Sequence, residues 1–579
     1  MNKEFTGVDW EQVIQQGCKR YLVLPEDYEE KTYKSIHTNA CWIARALVHH
    51  GVLRKDLRIL QQGIDIMAEQ IRVQQKNDVG LQSDHSYLIH GLQLYNAGYG
   101  KALIETVSYY MYLIRDVTIV GFGMDNTNTL GDMLLYGDQW MVYGRMYDFS
   151  TGGRNIVRKD GLGLSSFRLK EILKRMAAID TGRNIEYQNL LAHINKPDGS
   201  LAGLIGNKHF WRADYMVHRR KGLFYGVKMS SERTVGTEGM NGENLKGFWL
   251  PFGATTIMRH TSEYYDIFGL WDWTKIPGVT NPAKQITLSE RKATFISNPA
   301  AFVGGVSDGT HGVAGFQLAV DTVISSDTIN VSGKKAYFLF GEELICLGAG
   351  ISSDMISEPI TTTLNQSFLR DDVLVDDVVT PTQESTYDGV RWVHHDQTGY
   401  VFRKPTAVNI KNNTQSGNWY DIHRGLEDKA VEGEVFKLWL DHGYTPKAST
   451  YEYAILPNLT PQETGLYAKE LPYTTLVNNT DMQAIKHHTL HRCGVVFYVA
   501  STLDIGEFSV TVDQPCILLI DFSAPRIRVT IADPNQSLSE IEISLSYGSA
   551  PAELLHFSLP MGVDAGKSVT LEAATVWKP

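Results

Sequence analysis

Between Gly80 and Gly100 the chain reads GLQSDHSYLIHGLQLYNAGYG, with two histidines, one aspartate and three tyrosines in twenty-one residues. Imidazole and phenol groups set this close can move protons. The segment also connects two stretches of helical periodicity, and connecting segments carry function more often than helix interiors. Taken alone, it divides evenly between a structural and a chemical role. A second stretch, Tyr147–Arg158, ends in Arg154 and Arg158, with Lys159 following. If it is helical, the two arginines share a face and form a small cationic patch. With no partner motif, that patch is a solvated face. A third stretch runs from Val217–Gly222 to the polar, glycine-interrupted Met229–Gly247, which carries Glu238 and Asn241. Between β segments it reads as a loop reaching over a cleft.

These segments need elements to position them. Leu57, Leu60, Ile64, Met67 and Ile71 recur at 3,4,3,4 spacing, and Leu103, Val107, Tyr110, Ile114 and Val117 at 4,3,4,3, each one face of an amphipathic helix. Another helix is expected over Cys41–His50, stopped by Gly51, and another over Phe167–Ala178. Helices paired through short loops suggest stacked α-hairpins. The turn-rich Asn195–Ser200 marks a boundary. Beyond it, Ala336–Phe340, Phe508–Val512, Arg526–Ile531 and Ile541–Leu545 alternate or are β-branched, as strands do. Gly121–Gly123 and Gly348–Gly350 read as turns. The expected domains are residues 1–200 (helical), 201–471 (antiparallel β) and 472–579 (a smaller β unit).

Composition narrows the function. Hydrophobic residues make up 43% of the 579, enough for large packed cores. A net charge of −11 argues against a nucleic-acid partner, and an anionic substrate would need a locally basic cleft. The five cysteines are widely spaced with no C-x-x-C, so buried free thiols are expected. No signal peptide is visible, and no stretch approaches the ~20 apolar residues of a membrane span. P-loop, GxGxxG, HExxH and GxSxG motifs are absent.

The three polar segments together resemble polysaccharide lyase family 8, the chondroitin AC, hyaluronate and xanthan lyases, and most closely its chondroitin AC lyases. Trp271–Thr280, Gly304–Gly309, Ile345–Ile351, Thr361–Gln366, Gly417–Trp419 and Val435–Trp439 continue the likeness in order, from about residue 36 to the C-terminus. The resemblance implies an α+β multidomain chain. An incomplete N-terminal α/α toroid, here shortened, would precede a large antiparallel β-sandwich domain and a smaller C-terminal β domain. It places the family's catalytic histidine on His90, its tyrosine on Tyr99, its two arginines on Arg154 and Arg158, and its Glu and Asn on Glu238 and Asn241. A weaker local match places the substrate-carboxylate asparagine on Asn39.

The implied reaction is β-elimination on a uronate polymer. The C5 proton is barely acidic beside a carboxylate, so that carboxylate must be neutralised or hydrogen-bonded, and Asn39, helped by His90, is the implied group. Tyrosine is a poor base unless a cation favours its phenolate, and Arg154 is the implied cation. Tyr99 could then protonate the leaving oxygen. Arg158 would position substrate, and Glu238 and Asn241 would hold His90 or Arg154. The substrate implied is an acidic polysaccharide, chondroitin sulfate or hyaluronan, handled without metal or cofactor by a secreted or periplasmic monomer.

Two departures stand out. The Asn-Trp-Trp motif whose tryptophans stack on sugars is absent, and Trp10 and Trp42 look like poor substitutes. The calcium site of the chondroitin AC lyases, near Trp-x-Trp, keeps only Asp272 here, with Thr274, Ala283 and Lys284 around it, so no metal is expected there. The alternatives are a lyase for another acidic polysaccharide and a non-catalytic polysaccharide-binding relative. A hydrolase would need paired carboxylates. Asp84, Asp148 and Glu238 form no obvious pair, and Asp148 reads as a partner of a nearby arginine.

Overall fold

The computed structural model describes residues 37–575 apart from 119–120, 163, 196–203, 261, 325–326 and 548–550. The boundary expected at Asn195–Ser200 therefore falls largely outside the described residues.

Helix α1 (Thr38–Arg54) buries Cys41, Ala44, Leu47 and Val48 along one side. It does not stop at Gly51. That glycine lies where the next helix crosses, and a Cβ on it would sit 2.4 Å from the backbone nitrogen of Leu60. Its missing side chain serves close approach rather than termination. Lys55 ends the helix instead, in the left-handed region at φ 54°. Asp56 then caps α2 (Leu57–Glu69), accepting from the amides of Arg58 and Ile59. Ile64 and Met67 of α2 face the core, whereas Leu57 is exposed.

In α3 (Lys101–Ile114) the expected row Leu103, Val107 and Tyr110 is buried, and Val117 lies exposed beyond the end. Helix α4 (Met124–Asp132) follows, and α5 (Leu164–Ile179) and α6 (Asn184–Asn195) form another hairpin. Helix α3 packs between α1 and α5. The segment Gly80–Gly100 is not an irregular link. It forms three short antiparallel strands, Gly80–Leu81, Tyr87–Ile89 and Gln93–Leu94, then one π-helical turn, Asn96–Gly100, that runs into α3.

From Gly206 onward the chain is dominated by antiparallel strands. Gly206–Phe210, Tyr215–Arg220, Leu223–Lys228 and Ala254–Met258 make a four-stranded sheet. A 12-stranded sheet follows, with long strands such as Gly312–Ile324, Asp327–Phe340 and Thr398–Asn418. Gly348–Gly350 is not a turn between elements but a bulge inside strand Glu343–Ser352. The register slips there, and Gly350 takes φ 66°. One apolar core is continuous from the helices into this sheet. Helix α7 (Pro461–Lys469), opened by a Thr460–Glu463 capping box, precedes the last unit.

That last unit begins at Tyr473. A six-stranded and a four-stranded sheet enclose their own core, which includes Phe497, Leu518, Ile531 and Phe557. Its strand Glu540–Ser546 buries every second residue, Ile541, Ile543 and Leu545, the pattern of a sheet with one face on a core. Cys41, Cys346, Cys493 and Cys516 are buried free thiols.

Candidate active site

The hairpin after Tyr87–Ile89 turns through His90, Gly91 and Leu92, all at positive φ (53°, 80° and 70°). Such strain in non-glycine residues persists only where surrounding contacts enforce it. Here the enforcing contact comes from the β-domain: the amide of Val235 donates to the Gly91 carbonyl at 3.2 Å. The following π turn presents Tyr99. Asn96 anchors that turn, accepting from the Tyr87 amide (2.7 Å) and donating to the buried Asp138 (3.2 Å). From α1, the Thr38 hydroxyl donates to the Tyr99 carbonyl at 2.8 Å.

Tyr95 is the buried pivot. Its ring lies against Gly98 and Gly153, where a Cβ would come within 2.4 Å and 2.0 Å of ring carbons. Gly153 also needs φ 53°. The Tyr95 hydroxyl accepts from the Arg154 amide (2.9 Å) and donates to Glu238 Oε1 (2.8 Å). Gly153→Ala would displace this ring. It is expected to destabilise the fold by about 1–3 kcal/mol in chemical denaturation and to lower kcat more than it raises KM.

The loop predicted to reach over a cleft supplies two carboxylates. Strand Thr237–Gly239 carries Glu238, fully buried, and Asn244 fixes it by donating to the Thr237 hydroxyl (2.9 Å) and the Glu238 carbonyl (2.7 Å). Arg154 bridges the whole cluster. Its Nη1 donates to Glu238 Oε1 (2.5 Å), its Nε to Glu243 Oε2 (2.7 Å), and its Nη2 to the Tyr99 hydroxyl (3.1 Å). Arg158 donates to both oxygens of Glu243, at 2.7 and 3.0 Å.

Burial opposes the charges of Glu238 and Glu243. The bonds to His90 and Arg154 for Glu238, and to Arg158 and Arg154 for Glu243, outweigh it and hold both carboxyls below the ordinary glutamate range. Burial likewise opposes the Arg154 cation, but Tyr95 and Glu238 raise its pKa above the usual arginine value. Burial, then Glu238, pushes Tyr95 well above the usual phenol range, so it stays a neutral donor. His90 Nδ1 meets Glu238 Oε2 at 2.8 Å. Because that carboxyl is ionised, Nδ1 is the donor, and Nε2 remains available to substrate. The His90 and Tyr99 rings meet edge-on, 5.0 Å apart.

The predicted residues thus gather unevenly. His90, Tyr99, Arg154 and Glu238 form one hydrogen-bonded set. Arg154 and Arg158 do not share a helical face. Arg154 lies within a 3-10 turn, Gly153–Val157, after which Arg158 is extended, and the two converge on Glu243 instead of forming a solvated patch. Asn241 is exposed at φ 57°, and among the described residues it bonds neither His90 nor Arg154. Glu243 holds Arg154 directly, and Asn244 fixes the strand that carries Glu238. Asn39 is exposed in the first turn of α1, next to Thr38.

Among the described residues Asp148 partners no arginine. It is buried and accepts from Tyr215 (2.6 Å), Thr256 (2.7 Å) and the Ser150 amide (2.8 Å). Asp84 is tied to Ser86 and the Arg212 amide. Neither is free for hydrolytic chemistry. Trp42, expected to be a poor substitute for a stacking residue, is 40% exposed with its ring 6.2 Å from that of Tyr99. Trp10 lies outside the described residues. At Asp272 one carboxylate oxygen accepts from Thr274 and the other takes the Lys437 ammonium at 2.9 Å. Burial there is outweighed by Lys437, which brings the Asp272 carboxyl down to about 2. The residues at this position do not fit a calcium ion, which needs several free oxygens.

Tyr95, Glu243 and Asn244 were not singled out from the sequence. Glu243 lies in the same polar loop as Glu238, and Tyr95 one helical turn before Tyr99, so local spacing was the available signal.

Comparison with known proteins places this geometry. Three domain profiles of polysaccharide lyase family 8 match the chain: the N-terminal α-helical domain over 10–195, the super-sandwich domain over 205–468 and the C-terminal β-sandwich domain over 474–542. The chain belongs to polysaccharide lyase family 8 and is a polysaccharide lyase. It is 32% identical to chondroitinase-AC of Pedobacter heparinus, over 85% of this chain and 69% of that protein. A hyaluronate lyase of Thermasporomyces composti is 27% identical over 93% and 73%. A xanthan lyase of Bacillus sp. is 26% identical over 86% of this chain and 56% of its own length. A solved chondroitinase AC lyase superposes with a TM-score of 0.88 at 30% identity, covering 93% of this chain and 79% of that one. The N-terminal helical domain, large sheet-rich domain and smaller C-terminal β domain are the architecture that the resemblance implied.

Proposed function

We propose that this enzyme cleaves a uronate-containing glycosaminoglycan, chondroitin sulfate or hyaluronan, by β-elimination, with Tyr99 taking the C5 proton. The observation that carries this reading is the Tyr99 hydroxyl, which accepts a hydrogen bond from a buried, doubly paired arginine beside an oriented histidine. The neighbouring carboxylates of Glu238 and Glu243 are both committed to arginines, which disfavours a two-carboxylate hydrolase.

In this scheme Asn39 and His90 Nε2 hydrogen-bond the uronate carboxylate and stabilise charge spreading from C5. The C5 proton passes to Tyr99, and Arg154 Nη2 stabilises the negative charge at the phenol oxygen. The C5 electron pair forms the C4–C5 double bond, the C4–O4 bond breaks, and the leaving O4 takes the proton back from Tyr99. Arg158 and the exposed Asn241 contact substrate, and Glu238 positions His90 and Arg154. Residues 1–200 supply the base and 201–471 the carboxylates that hold it, with 472–579 as a separate β unit.

A polymer too large to cross a membrane favours a secreted or periplasmic enzyme. Among the described residues no helix is long and apolar enough to span a bilayer. A net charge of −11 disfavours a nucleic-acid partner, and we take the working unit to be a monomer.

The test is ultraviolet absorbance. Chondroitin sulfate and hyaluronan should give a rising signal from unsaturated uronate ends, and a flat trace across a panel of uronate polymers would refute the proposal.

A further inference from the structure

Helix α4 runs on into a second π-helical turn, Met133–Asp138, which packs against the turn that presents Tyr99. Such turns are rare and mostly occur at functional sites, so two in contact are unusual. Glycines let them approach. A Cβ on Gly100 would come 3.1 Å from Met133 Cε, and one on Gly137 would collide with the His85 carbonyl oxygen, in the hairpin that leads to His90. The second turn ends in Asp138, fully buried and unused by the proposed chemistry.

Asp138 grips the first residue of the Tyr99 turn. The Tyr87 amide can only donate, so Asn96 faces it with its side-chain oxygen and gives its nitrogen to Asp138 Oδ1. Without that carboxyl the Asn96 nitrogen would be left with the His85 carbonyl, 3.5 Å away. The turn itself closes through the Gly100 amide on the Tyr95 carbonyl at 3.0 Å, and Thr38 holds the Tyr99 carbonyl. Asp138 is a poor device for stability alone. Its Oδ2 has no hydrogen-bond partner among the described residues, and neither has the buried Tyr147 hydroxyl. A buried polar atom left so costs stability. Burial, opposed by Asn96 and Lys101, raises the Asp138 carboxyl to about 7, so a neutral amide is a close stand-in for it.

We propose that Asp138 is a positioning residue for the elimination: acting through Asn96, it sets the π turn that aims the Tyr99 hydroxyl at the C5 proton. The proposal rests on the reading of Tyr99 as the base. Misplacing a reacting atom by about 1 Å can cost on the order of 10²-fold in rate, so a modest shift of the turn is enough. Arg154 Nη2 meets the Tyr99 hydroxyl at 3.1 Å, but one bond at the tip of the side chain does not fix the backbone that carries it.

The test compares wild type, Asp138→Ala and Asp138→Asn in the full chain, alone and combined with Tyr99→Phe. Asp138→Ala should lower kcat on chondroitin sulfate about 30-fold and change KM by less than about threefold, the pattern of a defect in the chemical step. Asp138→Asn, whose amide oxygen can still accept from Asn96, should recover most of that loss. Combined with Tyr99→Phe, Asp138→Ala should cost no more than about twofold further, because the group it positions is already gone. A fluorine resonance from 3-fluorotyrosine placed at position 99 needs no turnover: it should move in Asp138→Ala and return in Asp138→Asn. If Asp138→Ala fails to fold, Asn96→Ala breaks the same link from the other side and should give the same kcat loss and the same fluorine shift. An unchanged kcat, a stationary resonance, a rise in KM alone, or an equal loss with and without Tyr99→Phe would overturn the assignment while leaving Tyr99 as the base. If instead Tyr99→Phe turns over like wild type and the resonance still moves, the base reading falls while Asp138 is upheld as the anchor of the turn.

Discussion

Tyr99→Phe is expected to lower kcat on chondroitin sulfate or hyaluronan by about 10³-fold, within the range for loss of a general base and acid, with KM changed by less than about threefold. The substitution removes one oxygen and little volume. The ring would still pack edge-on to His90 and beside Trp42, so substrate contacts made by the ring persist. The proton acceptor is lost, and Arg154 Nη2 loses one partner while keeping Glu238 and Glu243 through its other nitrogens. Arg154 therefore stays in place, and the defect is confined to chemistry. Steady-state kinetics alongside a binding isotherm separate the two effects. A variant turning over within tenfold of wild type would remove Tyr99 from the proposed role.

Glu238→Ala is expected to be the most damaging substitution to the fold. The carboxylate is fully buried and shared by His90, Arg154 and Tyr95, whose hydroxyl would lose its acceptor. Removing one partner of a buried ion pair typically costs about 3–5 kcal/mol, because the remaining charge is stranded. Glu238→Gln keeps the shape and should recover part of the stability. It should recover little activity, since a neutral amide neither fixes the His90 tautomer nor balances Arg154.

The same cluster sets an acid limit. Glu238 and Glu243 have folded-state pKa values below the ordinary glutamate value of 4.5. Their stabilisation is therefore complete above about pH 4.5 and is lost as the pH falls through the depressed values. Thermal unfolding between pH 3 and 6 should show a steeper acid loss in wild type than in Glu238→Gln. An identical pH dependence would remove Glu238 as the source.

Much of this arrangement was legible in the sequence where local periodicity or local motif was the cause. The rows Leu103–Val107–Tyr110 and Ile541–Ile543–Leu545 are buried as their spacing predicts, and His90, Tyr99, Arg154 and Glu238 do meet. What local pattern could not give was closure between distant segments. Glu243 lies 89 positions from Arg154 and 85 from Arg158. Nothing near any of them announces that one carboxylate binds both arginines.

Gly51 reads locally as a helix stop, but a neighbouring helix at 2.4 Å makes it a contact point. Asp148 reads as an arginine partner because Arg154 is close in sequence, whereas the strands bring Tyr215 and Thr256 to it instead. Trp42 lacks the family's stacking motif, yet the path of α1 sets it beside Tyr99. For Asp148 and Trp42 the deciding partner comes from an element remote in the chain, and for Gly51 from the next helix.

The central claim is elimination at a uronate, with Tyr99 moving the proton. Mass spectrometry of the oligosaccharides released from chondroitin sulfate tests it most directly, run on wild type and Tyr99→Phe side by side. Elimination predicts wild-type products with new non-reducing ends one water lighter than hydrolysis would leave, and almost no product from Tyr99→Phe under the same conditions. Products carrying the full water of hydrolysis, or the same yield from both proteins, would contradict the account.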